Sequence, residues 1–228
     1  LRSVNPLVCE CNDSTLNHIA ERAVGREHVF SALASACQDF AEGDVGGGKG
    51  MICHGLKGGI GSASRVLAFD GRTYTIGILV QSNHGVLSDL TVSGVNIGAG
   101  LARTLETRAA DQGSIIAVLA TDLPLDARQL ARVARRVSVG LARLGSHIGH
   151  GSGEVFVAFS TANPFDFRAE NAVRMTTAFH EELLDLPFRA AAECAEEAVL
   201  NSMLTAHTVT GWQGNTVYAL PELWRPGG

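Results

Sequence analysis

The stretch GSIIAVLATDLPL, residues 113–125, lies near the middle of the 228-residue sequence, and the fold depends on how it is interpreted. Gly113 and Ser114 open an apolar run that predicts a buried strand over Ser114–Thr121. Ser114 can be the polar first residue of a strand whose preceding loop ends at Gly113. Alternatively, the chain is cut between these two residues, and Ser114 becomes a new N-terminus and a nucleophile. The pattern alone favours the first explanation.

The composition indicates an ordinary globular chain. Hydrophobic residues make up 46% and charged residues 18% of the sequence, which suits a sizeable core. The formal net charge of −5 argues against a sequence-blind nucleic-acid binder, which needs a basic face. The longest apolar runs fall short of the roughly 20 residues that span a bilayer, so we expect neither nucleic acid nor a membrane as a partner. The compartment stays open between cytoplasm and periplasm.

Five cysteines occur, an odd number, and they form no C-x-x-C pair. We therefore expect neither a disulfide framework nor a zinc site. Cys9 and Cys11 have the spacing of two neighbours on one face of a strand. We expect all five to be thiols, used as small hydrophobic side chains.

Hydrophobic periodicity and turn residues predict a mixed order of strands and helices. The pair Asp70-Gly71 is a strong hairpin signal between two β-rich runs. Strands are predicted at 6–11, 65–69, 73–81, within 87–92, at 114–121 and at 154–160. Helices are predicted at 28–38, at 124–144 and, as one or two helices interrupted by Pro187, from about 170 to 207. This order favours sheets with helices packed outside them.

Three familiar site patterns are incomplete. The glycine-rich segment from Gly43 to Lys49 resembles a P-loop, but Gly50 stands where a magnesium-binding Ser or Thr belongs, and the next residues look extended. His147 and His150 have metal-like spacing, yet glycines interrupt any helix there, and the other histidines form no convincing cluster. The motif G-x-S-x-G occurs nowhere. We therefore expect no nucleotide, metal or other cofactor.

A serine at a chain terminus carries its own base. The α-amino group has a reference pKa of about 7.7–8.0, so a useful fraction is neutral at cellular pH and can accept the hydroxyl proton. An internal cut would create this group through attack of the Ser114 hydroxyl on the Gly113 carbonyl. Glycine at 113 would make strained backbone geometry accessible at the cut.

Residues 113–125 resemble the self-cleavage motif of the DmpA-type aminopeptidases, which include the L-aminopeptidase/D-amidase-esterases and the β-peptidyl aminopeptidases. Four further blocks resemble the same family in order and approximate spacing, so the resemblance covers most of the chain. They are Cys9-Glu10-Cys11-Asn12-Asp13, the stretch from Glu42 to Gly61, Val80-Gln81-Ser82-Asn83-His84-Gly85 and Gly151-Ser152-Gly153-Glu154. With these blocks included, the resemblance favours the second explanation of Ser114, in which the chain is cut between Gly113 and Ser114.

The resemblance implies an α+β fold, an αββα sandwich of the DmpA and ornithine acetyltransferase type that is internally self-cleaved. Residues 1–228 would form one domain made of fragments 1–113 and 114–228. The family assembles as a tetramer of cleaved αβ heterodimers. Its members usually carry a further N-terminal region before the block that begins near Pro6, so either the printed sequence omits that region or this chain is a shortened member.

The resemblance also implies roles for individual residues. Ser114 would be the nucleophile in cleavage after Gly113 and again in catalysis. Asn83 would donate its side-chain amide to the oxyanion. Ser152 and Glu154 would form a relay with the new amino group.

Substrate binding is implied for Glu10 and Asn12, with Glu10 receiving the free ammonium group of the substrate. Some family members carry an aromatic residue shortly after this glutamate, where this chain has Cys11-Asn12. The implied substrates are short peptides, amino-acid amides or esters of α- or β-amino acids, hydrolysed from the amino end through an acyl-Ser114 intermediate.

Two other functions stay open at this point. The ornithine acetyltransferases resemble this layout and transfer acyl groups, but their nucleophile is Thr. A non-catalytic ligand-binding domain would use Gly113-Ser114 only as the start of a strand.

Overall fold

The computed structural model describes residues 6–105, 111, 113–164 and 172–225. In this part of the chain no helix combines the length and the apolar character that crossing a bilayer requires.

Within the described residues, the α-helices are α1 (Arg26–Ala34), α2 (Gly98–Leu101), α3 (Ala127–Ala134), α4 (Val137–Arg143), α5 (Asp185–Leu204) and α6 (Leu220–Leu223). The strands are β1 (Ile52–Cys53), β2 (Leu56–Lys57), β3 (Gly59–Phe69), β4 (Arg72–Asn83), β5 (Thr91–Val92), β6 (Val95–Asn96), β7 (Ser114–Thr121), β8 (Gly153–Ser160), β9 (Val209–Thr210) and β10 (Thr216–Val217). Short 3-10 helices lie at Ile19–Glu21, Gly46–Gly48, Leu87–Asp89, Glu181–Leu183 and Trp212–Gly214.

A mixed four-stranded sheet lies at the centre, with the strand order β3–β4–β7–β8. The pairs β3–β4 and β4–β7 are antiparallel, whereas β7 and β8 are parallel. Parallel neighbours need a crossover connection, which α3 and α4 supply. The strand β7 is therefore an interior strand with a hydrogen-bonded neighbour on each side.

Alternation of side chains along β7 divides the sheet into two faces. Ile115 and Leu119 are fully buried in the main core, which includes residues of α3, α4 and α5. Ile116 instead belongs to a smaller cluster with Cys11. Helices thus cover one face of the sheet, and Ser114, which alternates with Ile115, lies on the other face.

The predicted hairpin is confirmed. β3 and β4 pair up to Phe69 opposite Arg72, and the two residues between them have φ values of +50° at Asp70 and +73° at Gly71. Positive φ at both central residues is the type I′ turn that matches the twist of antiparallel strands. The predicted strand Ser114–Thr121 is confirmed at both ends, and the last predicted strand begins one residue earlier, at Gly153.

The single helix predicted at 124–144 is wrong, because two helices occupy this range. The carboxylate of Asp126 accepts a hydrogen bond from the Gln129 amide at 2.7 Å, and this cap starts α3 three residues after the predicted start. Between α3 and α4 the Arg136 amide bonds the Val133 carbonyl, an i→i−3 contact that tightens the chain and breaks the α-helical ladder.

The C-terminal prediction is confirmed only in part: one helix, α5, covers Asp185–Leu204, and the interruption predicted at Pro187 is wrong. Pro187 lies in its first turn, where the missing N–H leaves no hydrogen bond unmade, so it does not interrupt the helix. Of the predicted range, residues 170 and 171 lie outside the described residues, and 172–180 are not helical.

Two N-terminal predictions need correction, and one central prediction is confirmed. Residues 6–11 form no strand, because they pair with no other strand in the described chain. The strand predicted within 87–92 is confirmed as Thr91–Val92, which follows a 3-10 turn. The helix predicted at 28–38 is α1, which ends at Ala34. Val29 and Leu33 of this helix are exposed, so its apolar side chains pack against no core among the described residues.

A buried lysine holds the glycine-rich segment. The ammonium group of Lys57 donates hydrogen bonds of 2.8–2.9 Å to the carbonyls of Gly48, Met51 and Gly58. Burial lowers the pKa of Lys57 to about 8. Of the residues after Gly50 that are predicted to be extended, Ile52 and Cys53 form strand β1, whereas His54 and Gly55 have positive φ values and form a turn. The helix that a P-loop requires does not follow. The glycine-rich segment is therefore a packed loop around the ammonium group of Lys57.

We expect Lys57→Met to destabilise the fold by about 3 kcal/mol or more, because it leaves three buried carbonyls without their donor. Urea unfolding followed by far-UV circular dichroism measures the change. Lys49→Met is the matched control, since Lys49 is the other lysine of the chain and its side chain is 71% exposed. Equal stability of the two variants would contradict this role for Lys57.

Candidate active site

Three strand ends meet at Ser114, the first residue of β7. In the sheet register Asn83, at the end of β4, pairs with Ser114 on one side, and Gly153, at the start of β8, pairs with it on the other. Residues paired in register point to the same face of a sheet. A Cβ atom at Gly153 would lie 3.9 Å from that of Ser114, as expected for a shared face.

Gly113 is required by the close approach of two backbones. A Cβ atom at this position would lie 1.7 Å from the Asn83 carbonyl oxygen, so no larger residue fits while β4 and β7 stay paired. This steric requirement is a reason for glycine here beside the expected one, access to strained geometry, which stays a prediction.

Hydrogen bonds hold the peptide groups around Gly113 on two sides. Its carbonyl oxygen accepts the Gly153 amide at 3.2 Å. Its own amide donates to Asp111 Oδ1 at 3.3 Å, and the same oxygen accepts the Gly85 amide at 3.0 Å. Asp111 is 8% exposed, and its Oδ2 atom has no hydrogen-bond partner among the described residues. Asp111 was not among the residues predicted from the sequence, because its position three residues before Ser114 is its only local signal.

The side-chain amide of Asn83 is oriented from both ends. Its Oδ1 accepts the Ile52 amide at 2.8 Å, which leaves the Nδ2 group as the donor on the other side. Nδ2 donates one hydrogen to the Asn12 carbonyl at 3.1 Å and has a second hydrogen to offer. Asn83 is 5% exposed and lines the cavity described below. These features give a fixed, desolvated donor next to Ser114.

Ser152 and Glu154 lie at the start of β8, beside Ser114, but form no relay in the intact chain. Ser152 Oγ and Glu154 Oε1 are buried and have no hydrogen-bond partner among the described residues, so neither bonds Ser114. Glu154 pairs with Ile115 in the register and thus shares its face of the sheet. The relay implied by the resemblance needs a free amine, and the Ser114 nitrogen here belongs to the peptide bond with Gly113.

A cavity of about 660 Å³ opens next to Gly113. Asn12, Asn83 and Asp111 contribute polar atoms to its wall. Glu10 is exposed and does not line this cavity. Of the predicted site residues, the cavity wall contains Asn12, Asn83 and Gly113. The others are not among the lining residues: Glu10, Ser114, Ser152 and Glu154.

The thiol of Cys11 lies beside the candidate nucleophile. Burial raises the pKa of this thiol, and a hydrogen bond with the Ser114 side chain opposes the shift. The expectation that all five cysteines are free is confirmed. Cys11, Cys53 and Cys194 are buried as expected, but Cys37 is exposed.

The expectation that the other histidines form no cluster is wrong for one pair. His54 and His84 are buried, with ring centroids 5.4 Å apart. His84 also lines the cavity. No sequence pattern indicated this pair, because the residues come from the β1–β2 turn and from the residue after β4, and they meet where these two segments pack together.

A model of peptidase family S58 matches residues 1–217 of the chain. The chain belongs to peptidase family S58. It is 42% identical to the β-peptidyl aminopeptidase BapA of Sphingosinicella microcystinivorans, over 95% of this chain and 59% of that protein. The chain thus spans about three fifths of the length of this relative.

Solved structures agree with the family assignment. The PH0078 protein from Pyrococcus horikoshii OT3 has a TM-score of 0.90 and 48% identity, over 96% of this chain and 60% of that one. The L-aminopeptidase D-Ala-esterase/amidase of Ochrobactrum anthropi has a TM-score of 0.82 and 42% identity, over 91% of this chain and 58% of that one. That protein is described as a prototype for the serine aminopeptidases and a new variant of the Ntn hydrolase fold. The α+β fold of the DmpA family, expected from the sequence, is confirmed.

Proposed function

We propose that this S58 chain is part of an N-terminal-nucleophile serine aminopeptidase that matures by cleavage between Gly113 and Ser114. One observation carries the proposal. Ser114 begins an interior strand between Asn83 and Gly153, and the Gly113 carbonyl next to it already accepts a hydrogen bond from the Gly153 amide. A nucleophile, the bond to be cut and a donor to its carbonyl oxygen are thus adjacent.

Self-cleavage would begin with attack of Ser114 Oγ on the carbonyl carbon of Gly113. The Gly153 amide stabilises the negative charge on the carbonyl oxygen, as an oxyanion donor does. The bond from Gly113 carbon to Ser114 nitrogen breaks, the nitrogen takes up the hydroxyl proton, and an ester remains. Water then hydrolyses the ester to a Gly113 carboxylate and restores the Ser114 hydroxyl beside a free amine.

The mature site would use the same atoms on an external substrate. Ser114 Oγ attacks the substrate carbonyl, its proton passes to the Ser114 amine, and an acyl-enzyme forms that water hydrolyses. The free Nδ2 hydrogen of Asn83 stabilises the oxyanion, a contribution typically worth about 2.7–4 kcal/mol. The unpartnered oxygens of Ser152 and Glu154 become hydrogen-bond acceptors for the ammonium group that forms at Ser114.

Short peptides, amino-acid amides or esters with a free amino group are the proposed substrates, and relatives named as β-peptidyl aminopeptidases favour including β-amino acids. We further propose that fragments 1–113 and 114–228 remain together as one domain, and that four such heterodimers assemble.

A denaturing gel and intact-mass measurement of the purified protein test cleavage, and aminoacyl-p-nitroanilides test hydrolysis. We expect two fragments, the second beginning Ser-Ile-Ile-Ala-Val by N-terminal sequencing, and p-nitroaniline release that depends on the cut. A ligand-binding domain would stay intact, and an acetyltransferase would instead consume N-acetylornithine and glutamate.

Glu154→Gln is expected to lower kcat by about 10²-fold, because a neutral amide no longer stabilises the charge that the Ser114 amine gains. Steady-state kinetics on a fully cleaved sample measure the effect. Glu182→Gln, at an exposed glutamate, is the control. A Glu154→Gln enzyme with the kcat of that control would show that the amine works without this carboxylate.

N-acetylation of a good substrate is expected to abolish turnover, since it removes the ammonium group that a carboxylate binds. Glu10→Gln should lower kcat/KM by about tenfold, equivalent to about 1.4 kcal/mol, and leave cleavage unchanged. If acetylated substrates fail but Glu10→Gln has wild-type kcat/KM, Glu10 is not the binding group, and Asp111, the carboxylate in the cavity wall, becomes the one to test.

A further inference from the structure

A buried group of metal-ligating side chains adjoins the cavity, whose wall includes His84, and takes no part in the proposed reaction. Cys53, His54 and His84 each present one ligand atom, and these atoms all lie within 4.8 Å of one another. The three residues have exposures of 0%, 0% and 1%. They connect the turn between β1 and β2 to the end of β4.

The spacing between the ligand atoms of Cys53 and His84 suits a cation with tetrahedral coordination. Cys53 Sγ lies 3.9 Å from His84 Nδ1. A zinc ion with Zn–S of about 2.3 Å and Zn–N of about 2.0–2.1 Å separates sulfur and nitrogen by roughly 3.5 Å. A side-chain shift of a few tenths of an ångström therefore brings both atoms to bonding distance.

The third ligand is held in the tautomer that a metal needs. His54 Nδ1 lies 3.0 Å from the Val86 carbonyl oxygen, which can only accept, so Nδ1 carries the proton. Its Nε2 atom then has a free lone pair, and it is buried without a hydrogen-bond partner. A backbone carbonyl on the opposite ring nitrogen is how proteins commonly orient a metal-bound histidine.

A carboxylate adjoins the group. Asp111 Oδ1 accepts the amide of Gly85, a residue so close to His54 that a Cβ there would lie 2.6 Å from the imidazole ring. Its Oδ2 is buried and unpartnered. A divalent cation bound by one thiolate and two neutral imidazoles keeps one positive charge, which this carboxylate balances.

We propose that Cys53, His54 and His84 bind a divalent d-block cation of the Zn²⁺ type. Binding replaces the thiol proton of Cys53, which passes to solvent, so one cation enters and one proton leaves. The cation would tie the β1–β2 turn to the segment that carries Asn83, and would therefore stabilise the folded chain.

Cobalt titration of the reduced, chelator-treated protein tests the site. We expect one equivalent of Co²⁺ to bind with the thiolate-to-cobalt charge-transfer absorption of a tetrahedral cysteine site, and Zn²⁺ to displace it and raise the Tm. Cys53→Ser should lose this absorption and bind at least tenfold more weakly. Cys194→Ser is the matched control, because Cys194 is an equally buried thiol whose contact is the Ile76 carbonyl.

His54→Gln gives a second test that leaves every thiol in place, and it should bind Co²⁺ at least tenfold more weakly than wild type. The proposal is overturned if the wild-type protein takes up no Co²⁺, or if the absorption survives in Cys53→Ser but vanishes in Cys11→Ser. An uncut Ser114→Ala protein should bind normally, so this result is independent of the aminopeptidase proposal.

Discussion

A Ser114→Ala protein is expected to remain one uncut chain and to show only the background rate of aminoacyl-p-nitroanilide hydrolysis. Alanine has no hydroxyl to attack the Gly113 carbonyl, so neither the ester nor the new amine can form. Loss of a catalytic nucleophile in serine hydrolases lowers kcat by on the order of 10⁶-fold. In this chain the same change also removes the base, because the base is the amine released by the cut.

Two variants separate the loss of the hydroxyl from general damage. Ser64→Ala, at an exposed position of β3, should be cleaved and active like the wild type. Ser114→Thr keeps a hydroxyl and should still be cleaved, so it tests the mechanism even if Ser114→Ala folds poorly. Cleavage of Ser114→Ala at the same bond, or an uncut wild type that hydrolyses the substrate, would contradict the mechanism.

Local sequence signals predicted those parts of the fold in which local and tertiary preferences agree. Strand β7 is apolar between Ser114 and Thr121 and has a hydrogen-bonded neighbour on each side, and Asp70-Gly71 has the positive φ values that its turn type requires. The segment 6–11 has a strand pattern but no partner strand among the described residues. The helix break near Arg136 depends on which carbonyl its amide bonds, which periodicity does not encode.

Dependence on tertiary contacts also limited what the sequence could predict about the candidate site. Resemblance to a family identified Ser114 and Asn83, and the sheet register then placed them opposite each other. Asp111 lies outside the quoted blocks, and His54 and His84 lie in two different ones, so no local pattern indicated that the two histidines meet in three dimensions. Glu10 was assigned by resemblance alone, and its exposed place outside the cavity follows from a segment that forms no strand.

Gly113→Ala is expected to slow cleavage by at least about 10²-fold although every reacting group is retained. Its Cβ would lie 1.7 Å from the Asn83 carbonyl oxygen, so β4 and β7 must separate at this point. Relief of this clash shifts the Gly113 peptide group relative to the Ser114 hydroxyl and the Gly153 amide, and a misplacement of about 1 Å can cost a reaction about 10²-fold in rate. Overpacking of this kind also costs about 1–3 kcal/mol of stability. Cleavage half-times from a denaturing gel and urea midpoints measure the two effects.

Gly77→Ala is the matched control, because Gly77 lies in the middle of β4 and a Cβ there would meet its nearest neighbours at 3.8 Å. It should be cleaved normally and lose little stability. If Gly113→Ala is cleaved as fast as Gly77→Ala, the close approach of β4 and β7 at Gly113 is not needed for the reaction. If Gly113→Ala stays folded and uncut, the register between β4 and β7 is what aims the Ser114 hydroxyl at its own peptide bond, since the nucleophile and the donors are all still present.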